Sequence, residues 1–417
     1  MTPTSDHGMK SDDAGQRGLG PGLLTLLGFL AAVGPFATDM YLASFTDIAS
    51  SLGAPASSVQ LTLTAFMAGI ASGQLIHGPL SDRLGRRPVL LTAMLLFALT
   101  SILMVFSPNI EVFMVLRVVQ GFAGAAGIVL ARAIAVDLSS GGTAVRALSL
   151  ISTVVSVAPL IAPLVGGAVA TFFGWRGVLA VLAVIATLMF LVTLVGVPET
   201  VPAHDRRTGG LGAMYRPMWD LVRVRFYVAH VGAFAMVFVA IMSYVAASPF
   251  VGQRILGMNE IQYGMSFAAG AAALIVANLI NARVAPRTGP ARMLLLGNVL
   301  ALSAGSAMAL LVFIDTLSIP TFIACAFLLS GGAGLVMSNA SALAFTVTAR
   351  STRGAGAALM GASQFILGGI ATPLVGLGGE ETAVPMVVCI LFGVVVSLLL
   401  TLIARGGRRP APVGPHS

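Results

Sequence analysis

The sequence predicts an all-α membrane protein of twelve transmembrane helices arranged as two six-helix halves. Three observations carry this: an extreme composition, twelve apolar runs of bilayer-spanning length, and a repeat that relates the two halves. Of 417 residues, 57% are hydrophobic and only 9% charged, with a mean hydropathy of +0.97. A soluble domain carries about 25% charged residues. A chain so depleted cannot cover a globule with polar surface, and lipid must take that place.

The elements follow in order. Residues 1–20 are polar and rich in Gly, Ser and Asp, and read as a cytoplasmic tail. Crossing the hydrocarbon core takes about 20 mostly apolar residues. Such runs fall near 21–45, 57–77, 88–107, 110–136, 146–172 and 176–197, giving a first bundle over 21–197. The first run is too long for a signal-peptide core, and further spans follow it. Residues 198–225 are a polar cytoplasmic linker. A second bundle over 226–404 has runs near 227–250, 260–282, 292–314, 317–345, 354–377 and 383–404, and 405–417 form a cytoplasmic tail.

Orientation follows from Lys and Arg, which concentrate on the cytoplasmic side. With both termini cytoplasmic, twenty of the 23 basic residues fall inside, from Lys10 to Arg409. Outside loops hold only Arg176 and Arg254, and Arg117 lies within the fourth span. Outside loops carry acids instead: Asp47, Glu111, Glu260, Asp315, Glu380 and Glu381.

The halves repeat. A shift of 204 residues sets Ser44 on Ser248, Gly53 on Gly257, Arg83 on Arg287 and Gly85 on Gly289. At 207 Arg146 meets Arg353, and at 210 Pro163-Leu164-Val165-Gly166 meets Pro373-Leu374-Val375-Gly376. Two parallel halves related by an axis along the membrane normal are the architecture of transporters that rock about a central site.

Four stretches carry chemistry. The segment Gly78-Pro79-Leu80-Ser81-Asp82-Arg83-Leu84-Gly85-Arg86-Arg87-Pro88 predicts a tight turn, its glycines permitting unusual backbone angles and Pro88 suiting a helix start. Asp82 among three arginines can pair and hold helix ends together. Arg117-Val118-Val119-Gln120-Gly121 puts a cation inside the fourth span. The fifth span contains Ala158-Pro159-Leu160-Ile161-Ala162-Pro163-Leu164-Val165-Gly166-Gly167, where prolines kink and small residues allow close backbone approach. The first span ends in Thr38-Asp39-Met40-Tyr41-Leu42.

Together these resemble the major facilitator superfamily over nearly the whole membrane portion. The loop resembles its signature (Gly78, Asp82, Arg83, Gly85, Arg86, Arg87), Arg117 its fourth-span arginine motif, and Pro159, Pro163, Gly166 and Gly167 its antiporter motif. Thr38–Leu42, with Ala131-Arg132-Ala133-Ile134-Ala135-Val136-Asp137-Leu138, looks like the Bcr/CflA type of bacterial drug:proton antiporter. The second half is a degenerate copy, with Pro286 where Asp82 would repeat and Ser243 where Asp39 would.

The resemblance implies the major facilitator fold and proton-driven export of small amphipathic molecules such as antibiotics across a bacterial inner membrane. Asp39 is then the proton site, Arg117 the residue supporting it, and Asp137 the partner of Arg86 in a cytoplasmic gate. Ionisable residues inside spans cost about 2.5–3.5 kcal/mol at a helix centre and persist where they pair, face a cavity or carry mechanism. Leu30-Ala31-Ala32-Val33 lacks the additional carboxylate that some such exporters carry in the first span, which argues against multivalent cationic substrates. Tyr41, Phe66, Gln74, Phe238, Tyr244, Asn339 and Gln364 are expected to line the central cleft.

Other classes fare poorly. No basic cluster interleaved with aromatics suggests nucleic acid. The chain's single lysine, Lys10, cannot complete a phosphate-binding Gly-Lys-Ser/Thr loop, which excludes an ATP-driven pump in one chain. No nucleophile–base set suggests an enzyme, and the five histidines are too scattered for a metal site. No cofactor is expected beyond the proton gradient, and a monomer suffices. A proton-coupled importer or a metabolite exporter of the same fold is the alternative.

Overall fold

The computed structural model describes residues 19–406 except 140, 207–210, 350–351 and 380. Most of both expected tails, with Lys10, therefore lies outside the described residues. Helix α1 (Pro21–Asp39) opens with proline at its first position and ends at Asp39, followed by a 3-10 turn (Leu42–Ser44) and α2 (Phe45–Ser51). Helices α3 (Ala56–Leu84), α4 (Arg86–Val105) and α5 (Ile110–Asp137) follow, α5 capped where the Asn109 side chain accepts from the Val112 N–H.

Helix α6 (Gly141–Gly196) is unbroken except at Gly174, whose φ of 65° is left-handed. Its first residues follow Asp137, while Leu194 near its end accepts a hydrogen bond from Arg87. Asp137 and Arg87 both belong to the network around Arg86, so the two ends of α6 lie on one face and the chain reverses at Gly174. That makes two spans of one helix, and the count comes to the expected twelve.

The stretch from Pro198 to Arg225 differs from a plain polar linker. It holds a 3-10 turn (Ala203–Asp205) and α7 (Leu211–Val222). The second half comprises α8 (Arg225–Phe250), a π-helical turn (Val251–Ile255), α9 (Glu260–Thr288), α10 (Pro290–Phe313), α11 (Ile319–Phe345), α12 (Arg353–Val375) and α13 (Val384–Gly406).

The repeat is explicit in the backbone. Helices α3 and α9 are both 29 residues long and offset by 204, as are the starts of α1 and α8 and of α4 and α10. Gly53 and Gly257 share a positive φ (59° and 72°), and so do Gly85 and Gly289 (103° and 87°). Both described ends lie on one face, termed near; the opposite face is termed far.

The two halves are joined mainly at their far ends. Gln60 donates to the Ala246 carbonyl (3.1 Å), and the Thr64 hydroxyl meets Gly369 O (2.9 Å) and the Thr372 hydroxyl. Gln253, on the π-helical turn, accepts from Thr46 (2.6 Å) and donates to Ala43 O (2.8 Å). Above this latch lies a polar hollow of about 240 Å³ lined by Thr46, Asp47, Gln253, Arg254, Met258 and Glu260. Closer to the near face Gln74 of α3 still touches Gly361 of α12.

Candidate functional site

Three groups of the expected residues occupy three levels of the first half. The innermost is an arginine box. Arg117 is fully buried, its guanidinium stacked on the Tyr41 ring (3.8 Å to the centroid) and flanked by Phe66 (5.2 Å) and Phe113 (5.6 Å). Cation–π contact is strongest where water is excluded, as here. Arg117 Nη1 donates to Ala37 O (2.9 Å) and to Gln120 Oε1 (2.7 Å), and Gln120 Nε2 donates to the Ser101 hydroxyl (2.8 Å). The last carbonyls of a helix lack intrahelical partners. Arg117 satisfies one of them, which helps to end α1 beside Asp39 and places a positive charge at the favourable end of the helix. Arg117 Nε and Nη2 have no hydrogen-bond partner among the described residues.

Asp39 is buried, with 8% of its surface exposed. Its Oδ1 lies 2.8 Å from the Thr38 hydroxyl, which also approaches Gly34 O (3.1 Å) and Pro35 O (3.2 Å). One hydroxyl proton thus faces three acceptors. Asp39 and Arg117 form no ion pair within 4 Å; Arg117 holds the end of Asp39's helix rather than its carboxylate. Tyr41, next along, is within 2.9 Å of the Thr62 hydroxyl, and Thr62 also lies 2.5 Å from Val59 O. With the Thr62 proton on that carbonyl, Tyr41 is the donor of the pair.

The second level is the far-side seal, built by the glycines of α6. A Cβ on Gly166 would stand 1.9 Å from Met40 O, one residue beyond Asp39, and one on Gly167 would stand 2.6 Å from Glu260 O in the other half. Gly264 of α9 approaches Pro163 O in the same way, at 2.7 Å. Pro163 and Gly166–Gly167 therefore bring α6 against α1 on one side and α9 on the other. Pro159 lies one turn before Pro163 in the same helix.

The third level is the near-face network. Arg86 Nε donates to Asp137 Oδ2 (3.1 Å), and Nη1 donates to Asp82 Oδ1 (2.5 Å) and the Ser81 hydroxyl (2.6 Å). Arg87 donates to Leu194 O (2.9 Å), and Arg83 is exposed. The expected tight turn from Gly78 is corrected: α3 continues through Pro79 to Leu84, and only Gly85 leaves the helix. Gly78 is helical, and a Cβ built on it would stand 3.6 Å from the Val129 side chain. Pro79 removes one backbone N–H from the ladder, yet the helix runs on through it, and Ser81 Oγ donates back to Gly78 O (2.7 Å).

Sequence reasoning missed Glu199 and Thr200. Glu199 Oε1 accepts from the backbone N–H of Arg86 (2.9 Å), capping α4, and the Thr200 hydroxyl donates to Asp137 (2.8 Å). Their position just after the sixth span was the one available signal. Gln253 was missed too, and nothing in its sequence context marks it.

The expected cleft residues divide. Gln74 lies at the seam against Gly361, Phe238 stands edge-on to Phe365 of its own half (5.4 Å between ring centroids), and Gln364 Oε1 is buried with no hydrogen-bond partner among the described residues. Tyr41, Phe66, Tyr244 and Asn339 do not line a cleft. Each is buried within its own half: Tyr41 and Phe66 around Arg117, Tyr244 against Phe267 and Phe322, and Asn339 donating to Asn281 Oδ1 (2.8 Å). Buried polar groups tend to find partners, and Tyr41 and Asn339 find theirs inside their own half, whereas the buried Tyr244 hydroxyl has no hydrogen-bond partner among the described residues.

Twelve apolar spans in two repeated halves, with buried charge in one of them, define a membrane transporter. The sequence profile of the Major Facilitator Superfamily matches residues 27–373 and again 231–416. The chain belongs to that superfamily. An uncharacterized MFS-type transporter, YdgK, of Bacillus subtilis is 35% identical over 87% of this chain and 90% of its own length. A bicyclomycin resistance protein homolog of Haemophilus influenzae is 32% identical over 89% of this chain and 93% of its own, in keeping with the Bcr/CflA resemblance. A chloramphenicol resistance protein of Pseudomonas aeruginosa is 29% identical over 92% and 90%. Among solved structures, an inward-facing, occupied bacterial homolog of the human lysosomal transporter Spinster superposes with a TM-score of 0.68 at 13% identity, covering 92% of this chain and 95% of the other. That likeness is one of fold.

Proposed function

We propose that the protein is a proton-coupled antiporter that exports small amphipathic molecules, antibiotics among them, by alternating access across a bacterial inner membrane. The near face is then cytoplasmic, in line with the arginine distribution, and the described conformation is sealed towards the outside. The names of the Haemophilus and Pseudomonas relatives favour a drug-like substrate.

The observation that carries the reading is Asp39 and its hydroxyl partner. Ionised, Asp39 accepts the Thr38 proton. Protonated, it donates to Thr38 Oγ1, and Thr38 turns its own proton to Gly34 O or Pro35 O. Both charge states are hydrogen-bonded with little movement of heavy atoms, as a site that is loaded and unloaded in each cycle requires. Met40 O, the next carbonyl, rests on Gly166 of the seal, so the seal and the proton site share one short segment. Opening the far side moves that segment and exposes Asp39 to the outside, where a proton enters.

The driving force is adequate: about 2.3 kcal/mol per charge per 100 mV, with roughly 1.4 kcal/mol per pH unit added. The test is transport by purified protein in liposomes holding a pH-sensitive dye, with amphipathic antibiotics added in turn. Wild type is expected to move protons only when substrate is present, and Asp39→Asn to abolish that movement. Substrate transport without protons, or undiminished proton movement in the variant, sinks the coupling role of Asp39.

A further inference from the structure

Helix α7 takes no part in the machinery above. Only Arg223 and Val224 separate its last residue from α8, so its end stays at the level where α8 meets the membrane surface. Leu221 is fully buried against Tyr227, Val231, Val347 and Met360, which pins one edge of α7 to the second half. The rest of its described surface is not that of a helix facing water. Trp219 is 60% exposed and Val222 45%, and the next exposed apolar residue along the chain is Val228, on the lipid-facing surface of α8. Arg216, Arg223 and Arg225 surround these groups and are themselves exposed, with the Arg223 guanidinium 5.5 Å from the Trp219 ring centroid. From Arg206 to Arg225 the chain has one acid, Asp220.

An exposed tryptophan with arginines beside it, continuous with a lipid-facing helix, has the chemistry of the headgroup layer. The indole buries its ring and keeps its N–H wet, and guanidinium groups meet phosphate. We propose that α7 is an interfacial helix that seats Trp219 and Val222 among the acyl-chain ends and places Arg216, Arg223 and Arg225 on net-negative phospholipid headgroups. Because α7 packs on α8 and α12, this anchor belongs to the second half.

The chain has two tryptophans, Trp175, which is buried, and Trp219. Full-length Trp175→Phe protein therefore reports on Trp219 alone. It would be reconstituted in phosphatidylcholine–phosphatidylglycerol vesicles with brominated chains on one lipid at a time. Trp219 emission is expected to be blue-shifted, shielded from aqueous iodide, and quenched at least about twofold more by the brominated anionic lipid at equal mole fraction. The Arg216→Gln/Arg223→Gln variant should lose that preference while remaining quenched. Should Trp175→Phe prove unstable, subtracting the spectrum of Trp219→Phe from that of the wild type isolates the same signal. Emission open to iodide and untouched by bromine overturns the proposal and leaves the face to a soluble partner. Equal quenching by the two lipids overturns its anionic part.

Discussion

Gly85 and Gly289 hold the same place in the two halves and the same left-handed backbone, yet their surroundings have nothing in common. A Cβ on Gly85 would meet Glu199 and Arg206, and the next residue, Arg86, ties together Asp82, Asp137 and Glu199; Gly289 has nothing within 4 Å. The contrast continues inside the membrane. The first half buries Asp39 and Arg117, whereas the second places Ser243 at the position of Asp39, its hydroxyl bonded to Val239 O (2.8 Å). Other buried polar groups of the second half also pair locally, Asn298 with Thr401 (3.1 Å) and Ser397 with Ala233 O (3.0 Å). Backbone geometry is set by helix lengths and a few glycines and outlasts duplication. Charge is costly in lipid and is kept only where it is used. The first half thus holds the buried charge, and the second supplies the Gln253 latch and a surface to close against.

Each prediction presses on that division. The largest effect is expected at the proposed proton site: Asp39→Asn should lower substrate-driven proton flux by about a hundredfold or more, while Ser243→Ala stays within about twofold. Equal losses would mean that both halves carry charge chemistry. Next is the latch. Gln253→Ala removes two hydrogen bonds between the halves, about 1 kcal/mol each, and should favour the far-open state by roughly tenfold or more. Distances between spin labels at Ser50 and Ile255 would measure the shift. Third, Gly85→Ala and Gly289→Ala both force alanine into an essentially glycine-only backbone region, at a cost of about 1–3 kcal/mol. Only Gly85→Ala must also displace Glu199, so its melting temperature in detergent should fall further. Smallest is Arg86→Gln. The pairs with Asp82 and Asp137 are both partly exposed and contribute at most about 1 kcal/mol each to stability, so the variant should melt only slightly below wild type. Its transport rate should fall, whereas Arg287→Gln should change neither.

Much of this was legible from the residues. Twelve spans follow from hydropathy because a bilayer sets a minimum length for each, and the 204-residue repeat reappears as paired glycines with positive φ. The near-face signature pointed to Arg86 with Asp137 because few charges compete there, and the two lie 3.1 Å apart. The facing of Tyr41, Phe66, Tyr244 and Asn339 was not legible. A helix apolar all round has no stripe to show which side meets the partner half, so phase within the bundle cannot be read from periodicity. Gln253 escaped because its role depends on a π-helical turn, and Glu199 because it reaches back 113 residues to cap α4. The extent of the near-face turn was misjudged because Gly78 and Pro79 are helix breakers in water, whereas here the helix runs through both.

The unequal lengths of the repeats also show where the chain accepts new residues. From α3 to the start of α4 the offset holds at 204, but α11 begins 209 residues after α5. The five-residue difference lies between the start of α10 and the start of α11, and four of those residues are in α10, which has 24 residues against 20 in α4. The connection after α10, around Asp315, with its exposed side chain and left-handed backbone, lies where the two halves differ in length. An epitope placed there should be accepted, and antibody binding to intact cells would then show directly which side of the membrane this loop occupies.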